Sequence, residues 1–265
     1  MNLGLSNKIA LVTAASQGLG FAAARELTRE GASVMICGRN RQRLNAAIAA
    51  LKAEFGNDAP VAATVADVSV AEDITALVEA VVSAFGGLDI LITNAGGPPK
   101  GTFETTDFVA WQDGITLTLM SAVRLIHAAL PHLKKSDAAS ILTVTSISVK
   151  QPINNLLLSN VIRPAVVGLT KSLSQEYGTN NIRVNSILPG WTKTERVDYL
   201  LNGLAKTKGT TPEEEAQKIA AATPLGRMAE PQEFGKVAAF LVSPAASYLS
   251  GVMMQVDGGA YAGLL

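Results

Sequence analysis

The chain has 265 residues, 48% hydrophobic and 17% charged, with 22 basic side chains against 22 acidic ones and a single cysteine. That much apolar surface suits a packed core and excludes a disordered, collagen-like or highly charged chain. Zero net charge removes the basic field that a polyphosphate partner needs, so nucleic acid is not expected. Cys37 alone forbids an intrachain disulfide. With no basic-then-apolar leader, and no uninterrupted apolar run near the roughly 20 residues of a membrane span, a cytoplasmic chain without a membrane partner is expected.

Apolar runs of strand length alternate with segments of helical period. Residues 8–13 form the first strand candidate, and 18–30 follow as a helix with Leu19, Ala22, Ala23 and Leu27 on one stripe. Residues 33–37 are the second strand, and 41–55 a helix carrying Leu44, Ile48, Leu51 and Phe55. Strand 61–65, helix 71–85, strand 89–93 and a long helical region over 108–133 come next, then strands 140–145, 182–188 and 252–256. Strands that are apolar throughout, rather than alternating, are buried on both faces, the mark of a parallel sheet covered by helices. The pattern predicts an α/β fold: a doubly wound, Rossmann-type, seven-stranded parallel sheet in a three-layer α/β/α sandwich.

No repeat or low-complexity linker divides the chain, so residues 1–265 are expected to form one domain. Residues 193–231, rich in Thr, Glu and Lys, interrupt the approach to the last strand and are expected to form a lid above the sheet. Within them Thr211, Pro212 and the acidic run 213–215 predict the cap and first turn of a helix. His127 and His132 lie five apart with no third ligand in view, so no metal is expected.

Thr13-Ala14-Ala15-Ser16-Gln17-Gly18-Leu19-Gly20 joins the first strand to the first helix. Glycines there let the backbone approach a pyrophosphate, and the helix N-terminus offers free N–H groups. The same glycines also serve tight strand–helix packing, so the turn alone leaves both readings open. About 20 residues after such a turn, an acid binds a ribose 2′-hydroxyl, whereas an arginine suits a 2′-phosphate. The second strand ends in Cys37-Gly38-Arg39-Asn40, with Arg41 and Arg43 behind it and no acid. NADP(H) is therefore favoured over NAD(H), a solvated helix-capping role being the alternative for Arg39. Asp67, after the third strand, would accept from an adenine amino group or cap the next helix.

Five ordered motifs now stand together: the turn at 13–20, Asn94-Ala95-Gly96, Ser146, Pro189-Gly190-Trp191-Thr192-Lys193-Thr194, and Asp257-Gly258-Gly259. From about residue 5 to 259 the chain resembles the short-chain dehydrogenase/reductase family, and by the order of its motifs the 3-oxoacyl-acyl-carrier-protein reductase branch. The resemblance implies a small carbonyl or alcohol substrate, and a dinucleotide held by Thr13, Ser16, Gly18, Leu19 and Gly20. It places Asn94, Ala95 and Gly96 beside the adenosine ribose, and Pro189, Gly190, Thr192 and Thr194 at the nicotinamide and pyrophosphate. It also implies a homotetramer, a subunit contact into which the apolar tail 260–265 would fit.

The family's chemistry rests on Asn, Ser and a Tyr-x-x-x-Lys pair that begins thirteen residues after the Ser. The phenol exchanges a proton with the substrate oxygen, and the lysine one turn later lowers its pKa towards neutrality. Here Ser146 is kept, but Ser159 and Arg163 stand in the Tyr and Lys places, Thr118 in the Asn place, and Ala14 replaces the first glycine of the turn. A serine is a weaker acid and shorter, and an arginine with a pKa above about 12 cannot relay a proton. Pro164 removes a helix hydrogen bond, so this helix is expected to start late or kink. Ser148, Lys150, Lys193 and Tyr199 are the other candidates for a proton donor. Two readings follow. One is an NADP(H)-dependent oxidoreductase, with 3-oxoacyl compounds among its candidate substrates, working through Ser146, Ser159, Arg163 and Thr118. The other is a dinucleotide-binding sensor or structural protein with little or no turnover.

Overall fold

The computed structural model describes residues 2–264; Met1 and Leu265, the last residue of the apolar tail, lie outside them. The first half contains β1 (Ile9–Val12), α1 (Gly18–Arg29), β2 (Ser33–Gly38), α2 (Arg41–Phe55), β3 (Val61–Val65), α3 (Ala71–Phe85) and β4 (Ile90–Thr93). The second adds α4 (Phe108–Ile115), α5 (Ser121–Leu133), β5 (Ser140–Val144), α6 (Leu157–Glu176) and β6 (Arg183–Pro189). It ends with α7 (Glu195–Lys208), α8 (Pro212–Ala222), α9 (Pro231–Val242) and β7 (Met253–Val256). The strands form one parallel sheet in the order β3-β2-β1-β4-β5-β6-β7. The winding reverses between β1 and β4, the point where a crevice opens beyond the strand ends.

β1 shows why a central strand is apolar throughout. Ala10 and Val12 enter one core with Leu27 of α1, Leu44 of α2 and Phe234 of α9. Leu11 enters the other, with Leu77 of α3 and Leu125 of α5. Successive side chains thus meet two separate cores, each large one contributing roughly 1.5–3 kcal/mol by leaving water. Caps set the helix starts. Asn40 accepts from the Arg43 N–H at 3.0 Å to open α2, and Thr211 caps α8 as expected, in a capping box with Glu214.

Three expectations change. The region 108–133 is not one regular helix, because a π-helical turn, Thr116–Met120, separates α4 from α5. As a 26-residue unit it is apolar enough, by length and composition, to cross a membrane, although polar residues such as Asp113 and Arg124 interrupt its apolar runs. In this fold its Leu125, Ala129 and Leu133 pack into the core beside α3. The helix carrying Ser159 does not start late. It begins at Leu157 and runs unbroken to Glu176 with Pro164 inside it, and Pro164 is exposed. Finally, α9 lies outside the predicted elements, yet its Phe234 is fully buried.

Candidate functional site

A cleft of about 760 Å³ lies beyond the carboxyl ends of the central strands. The turn after β1 forms one wall, with Ala14 at φ 46° and Gly18 at φ 61°, both left-handed. Asn94 clasps it: its Nδ2 donates to the Ala14 carbonyl at 3.1 Å, and its backbone N–H donates to Thr13 Oγ1 at 2.8 Å. Thr13 Oγ1 in turn donates to the Asn94 carbonyl at 2.6 Å. An added Cβ on Gly20 would stand 2.7 Å from the Ala14 carbonyl oxygen and 2.9 Å from Asn94 Nδ2. Thr13 and Gly20 therefore shape the turn from behind and do not line the cleft, whereas Ser16, Gly18 and Leu19 do.

Arg39, Asn40, Arg43 and Asp67 line the end near β2. Arg39 is largely exposed and its Nη1 lies 3.7 Å from Asp67 Oδ2. Partial burial pushes the Asp67 carboxyl up, but the Ser69 N–H and hydroxyl, with the Arg39 charge, outweigh it and hold the group below its ordinary range.

Asn94, Ala95, Gly96, Pro189, Gly190, Thr192 and Thr194 line the middle. Gly190 has to be glycine, since a Cβ would come within 2.7 Å of Asp257 Cα. That contact ties the Pro189-Gly190 segment to the Asp257-Gly258-Gly259 motif. Thr192 Oγ1 is buried with no hydrogen-bond partner among the described residues, and Thr194 caps α7, accepting from the Val197 N–H.

Ser146, Ser159 and Arg163 meet at the β5 end of the same cleft. Ser146 caps a 3-10 turn and accepts from the Ser148 N–H at 3.1 Å. Arg163 Nε donates to Ser159 Oγ at 2.9 Å, and its Nη1 donates to the carbonyls of Thr145 (2.7 Å) and Val144 (3.3 Å). Burial, with the nearby Arg196 charge, pulls Arg163 down to about 10, so it remains a cation at neutral pH. Nε–H engages one of the two lone pairs of Ser159 Oγ, and the hydroxyl proton points to no partner among the described residues, so it can donate into the cleft. Thr118 does not line this cleft. The π-helical turn buries it beside a separate cavity of about 10 Å³, shared with Arg163 and Asn94, and its Oγ1 has no partner among the described residues. That volume holds roughly one water.

The other proton-donor candidates fall outside the cleft lining. Ser148 is buried, Lys150 lies over the Tyr261 ring, and Lys193 pairs with Glu230 at 2.5 Å. Tyr199 is exposed beside Lys100 and Arg196. None of the four tyrosines of the chain lines the cleft. Sequence reasoning missed Gln17 and Glu195, which are hydrogen-bonded to each other across its rim. It also missed Arg196, which sits where the sequence has no recognisable pattern.

The chain belongs to the short-chain dehydrogenase/reductase family of oxidoreductases. Residues 13–261 match the family model described as enoyl-(acyl carrier protein) reductase. The dehydrogenase/reductase SDR family member 4 of Bos taurus is 35% identical over 257 residues, 97% of this chain and 88% of that protein. The L-sorbose reductase of Gluconobacter frateurii, crystallised with NADPH and L-sorbose, is 34% identical with a TM-score of 0.93 over the whole of both chains. An NADPH-bound short-chain oxidoreductase from Pseudomonas aeruginosa PAO1, described as containing an atypical catalytic centre, is 30% identical with a TM-score of 0.88, covering 97% of this chain and 99% of that one.

Proposed function

We propose that this protein is an NADP(H)-dependent reductase of small carbonyl compounds, or oxidant of the matching alcohols, in which Ser159 and Arg163 act as a unit. The observation that carries the reading is the 2.9 Å bond from Arg163 Nε to Ser159 Oγ in the cleft that also holds Ser146. The cleft suits a dinucleotide. Gly18 takes a left-handed turn at φ 61° that a side chain would strain, with Thr194 at contact distance across the cleft, and Thr192 Oγ1 is buried with no hydrogen-bond partner among the described residues. Ser16, Gly18 and Leu19 would hold the pyrophosphate, Asn94, Ala95 and Gly96 the ribose side, and Pro189, Gly190, Thr192 and Thr194 the nicotinamide. Arg39 and Arg43, with no acid at the end of β2, favour a 2′-phosphate.

The bound nicotinamide would supply the hydride. Ser146 and Ser159 would donate hydrogen bonds to the substrate oxygen, the Arg163 charge behind Ser159 would stabilise the negative charge that develops there, and water entering the open cleft would deliver the proton that completes the alcohol. Losing the phenol costs the share of rate that a positioned acid supplies, about 10²–10⁴-fold, so turnover is slow. The same reading takes residues 193–231, which contain α7 and α8, as a lid over a single domain. It also takes the protein as a homotetramer, with β7 half-buried along its length at the sheet edge.

Titrating NADPH and NADH by fluorescence, followed by a panel of ketones and aldehydes, tests this. Tight NADPH binding with slow reduction is expected, falling further in Ser159→Ala. Binding with no turnover over the panel replaces the enzyme by a dinucleotide sensor, and absence of binding by either nucleotide rejects both.

A further inference from the structure

Two arginines sit in the cleft with no anion to answer them. Arg196, in the first turn of α7, lies on the bare backbone of Gly97, where an added Cβ would come within 2.7 Å of its Nε and Nη2. Its Nη2 donates to the Pro98 carbonyl at 2.7 Å, and the Tyr199 ring centre is 5.4 Å from its Cζ. Backbone, carbonyl and ring hold the guanidinium in one place. Among the described residues its Nε and Nη1 have no hydrogen-bond partner, and neither does Nη2 of Arg163. No carboxylate among the described residues pairs with either group. The two acids that line the cleft are engaged elsewhere: Asp67 near Arg39, and Glu195 with Gln17 and Arg43.

Two like charges in one partly dry pocket are costly without a counter-ion, and each is desolvated here. The 2′-phosphate of a dinucleotide is provided for at the other end, and its pyrophosphate at the turn after β1 by Ser16, Gly18 and Leu19. Arg39 and Arg43 stand beyond β2, three strand spacings from β5, or roughly 14 Å. Arg163 lies instead against Ser159, and Arg196, whose charge Arg163 feels, lines the same cleft as Ser146, where a carbonyl would be held.

Resting on the oxidoreductase reading above, we propose that Arg196 selects carbonyl substrates that bear a carboxylate, small oxo acids, over their neutral counterparts. A planar guanidinium with free donors matches a carboxylate's two oxygens.

Matched pairs test the proposal: pyruvate, acetoacetate and 4-oxopentanoate against their methyl esters, titrated calorimetrically into the NADPH-saturated protein and into the protein alone. At least one acid is expected to bind ten-fold or more tightly than its ester. Arg196→Met is expected to weaken that acid about 10- to 100-fold, as for a lost charge-assisted contact, with the ester moving less than two-fold and Arg196→Lys recovering part of the loss. Esters that bind as well as acids in the wild-type protein overturn the proposal, whether or not the variants fold. So does an Arg196→Met protein in which NADPH and acid weaken in step, since that places Arg196 on the cofactor. A protein that binds no NADPH removes the oxidoreductase reading, and the acid-to-ester ratio of the cofactor-free protein still decides the carboxylate site.

Discussion

Replacing Arg163 with methionine separates a group that fastens β5 to α6 from one that serves the cleft. Three hydrogen bonds disappear, to Ser159 Oγ, the Thr145 carbonyl and the Val144 carbonyl. At about 1.5 kcal/mol for each bond to a charged group, the loss is roughly 4–5 kcal/mol. Against it stands the relief of a buried charge. Burial holds the guanidinium at about 10 instead of 12.5, which penalises the charged form by about 3 kcal/mol, trimmed to about 2 by solvent in the open cleft. The variant should therefore be only about 2–3 kcal/mol less stable, read by urea titration with circular dichroism. NADPH affinity, read by fluorescence, should fall about 10-fold or more, because Nη2 is lost as a donor to the dinucleotide. A destabilisation beyond about 4 kcal/mol with NADPH affinity intact would refute the reasoning and make Arg163 a purely structural tie.

Ala14, at φ 46°, bears left-handed strain of about 1–2 kcal/mol, partly offset by the entropy that glycine adds to the unfolded chain. Ala14→Gly should thus raise stability by about 0.5–1 kcal/mol in the same urea titration, and a loss would show that Ala14 packs better than its dihedral implies. Arg39→Ala should raise the NADPH Kd about 10-fold and change the NADH Kd by less than two-fold; equal losses would place the 2′-phosphate elsewhere. Lys208 and Lys218, with Thr210, hold the Glu215 carboxyl at about 2. Its folded value lies below the unfolded one near 4.3, so its stabilising effect is complete above about pH 5 and disappears as the pH falls towards 2. Glu215→Gln should flatten that part of an acid-unfolding curve, and an unchanged slope would contradict the assignment. The paired change Ser159→Tyr with Arg163→Lys should speed carbonyl reduction by about 10²-fold or more, and a folded, NADPH-binding but unaccelerated double variant would mean that α6 presents position 159 wrongly.

The sheet was legible because its central strands, such as β1 and β4, are apolar on both faces, while β6 with Arg183, Asn185 and Ser186 and β7 with Gln255 still carry enough apolar neighbours to stand out. The glycine-rich turn after β1 was legible as a tight turn, since glycines at those positions answer to backbone constraints, as the left-handed Gly18 and the crowded Gly20 show. What escaped was geometry that one residue imposes on another far along the chain. Thr13 and Gly20 carry the motif's pattern yet serve Asn94 from behind the turn. Thr118 was placed by counting along a regular helix, and the π-helical turn buries it beside a second cavity. Pro164 signalled a broken helix by propensity, but its place on the exposed side of α6 leaves the freed carbonyl within reach of water. Arg196 gave no signal, because its meaning comes from Gly97 and Pro98, about a hundred residues earlier.

A crystal structure of the protein with NADPH puts the most weight on the account. The 2′-phosphate should rest against Arg39 near the end of β2, and the nicotinamide should lie over Ser146 and Ser159 with Arg163 on the adjoining ribose. A dinucleotide lying the other way round, or one whose nicotinamide sits out of reach of both serines, would contradict it.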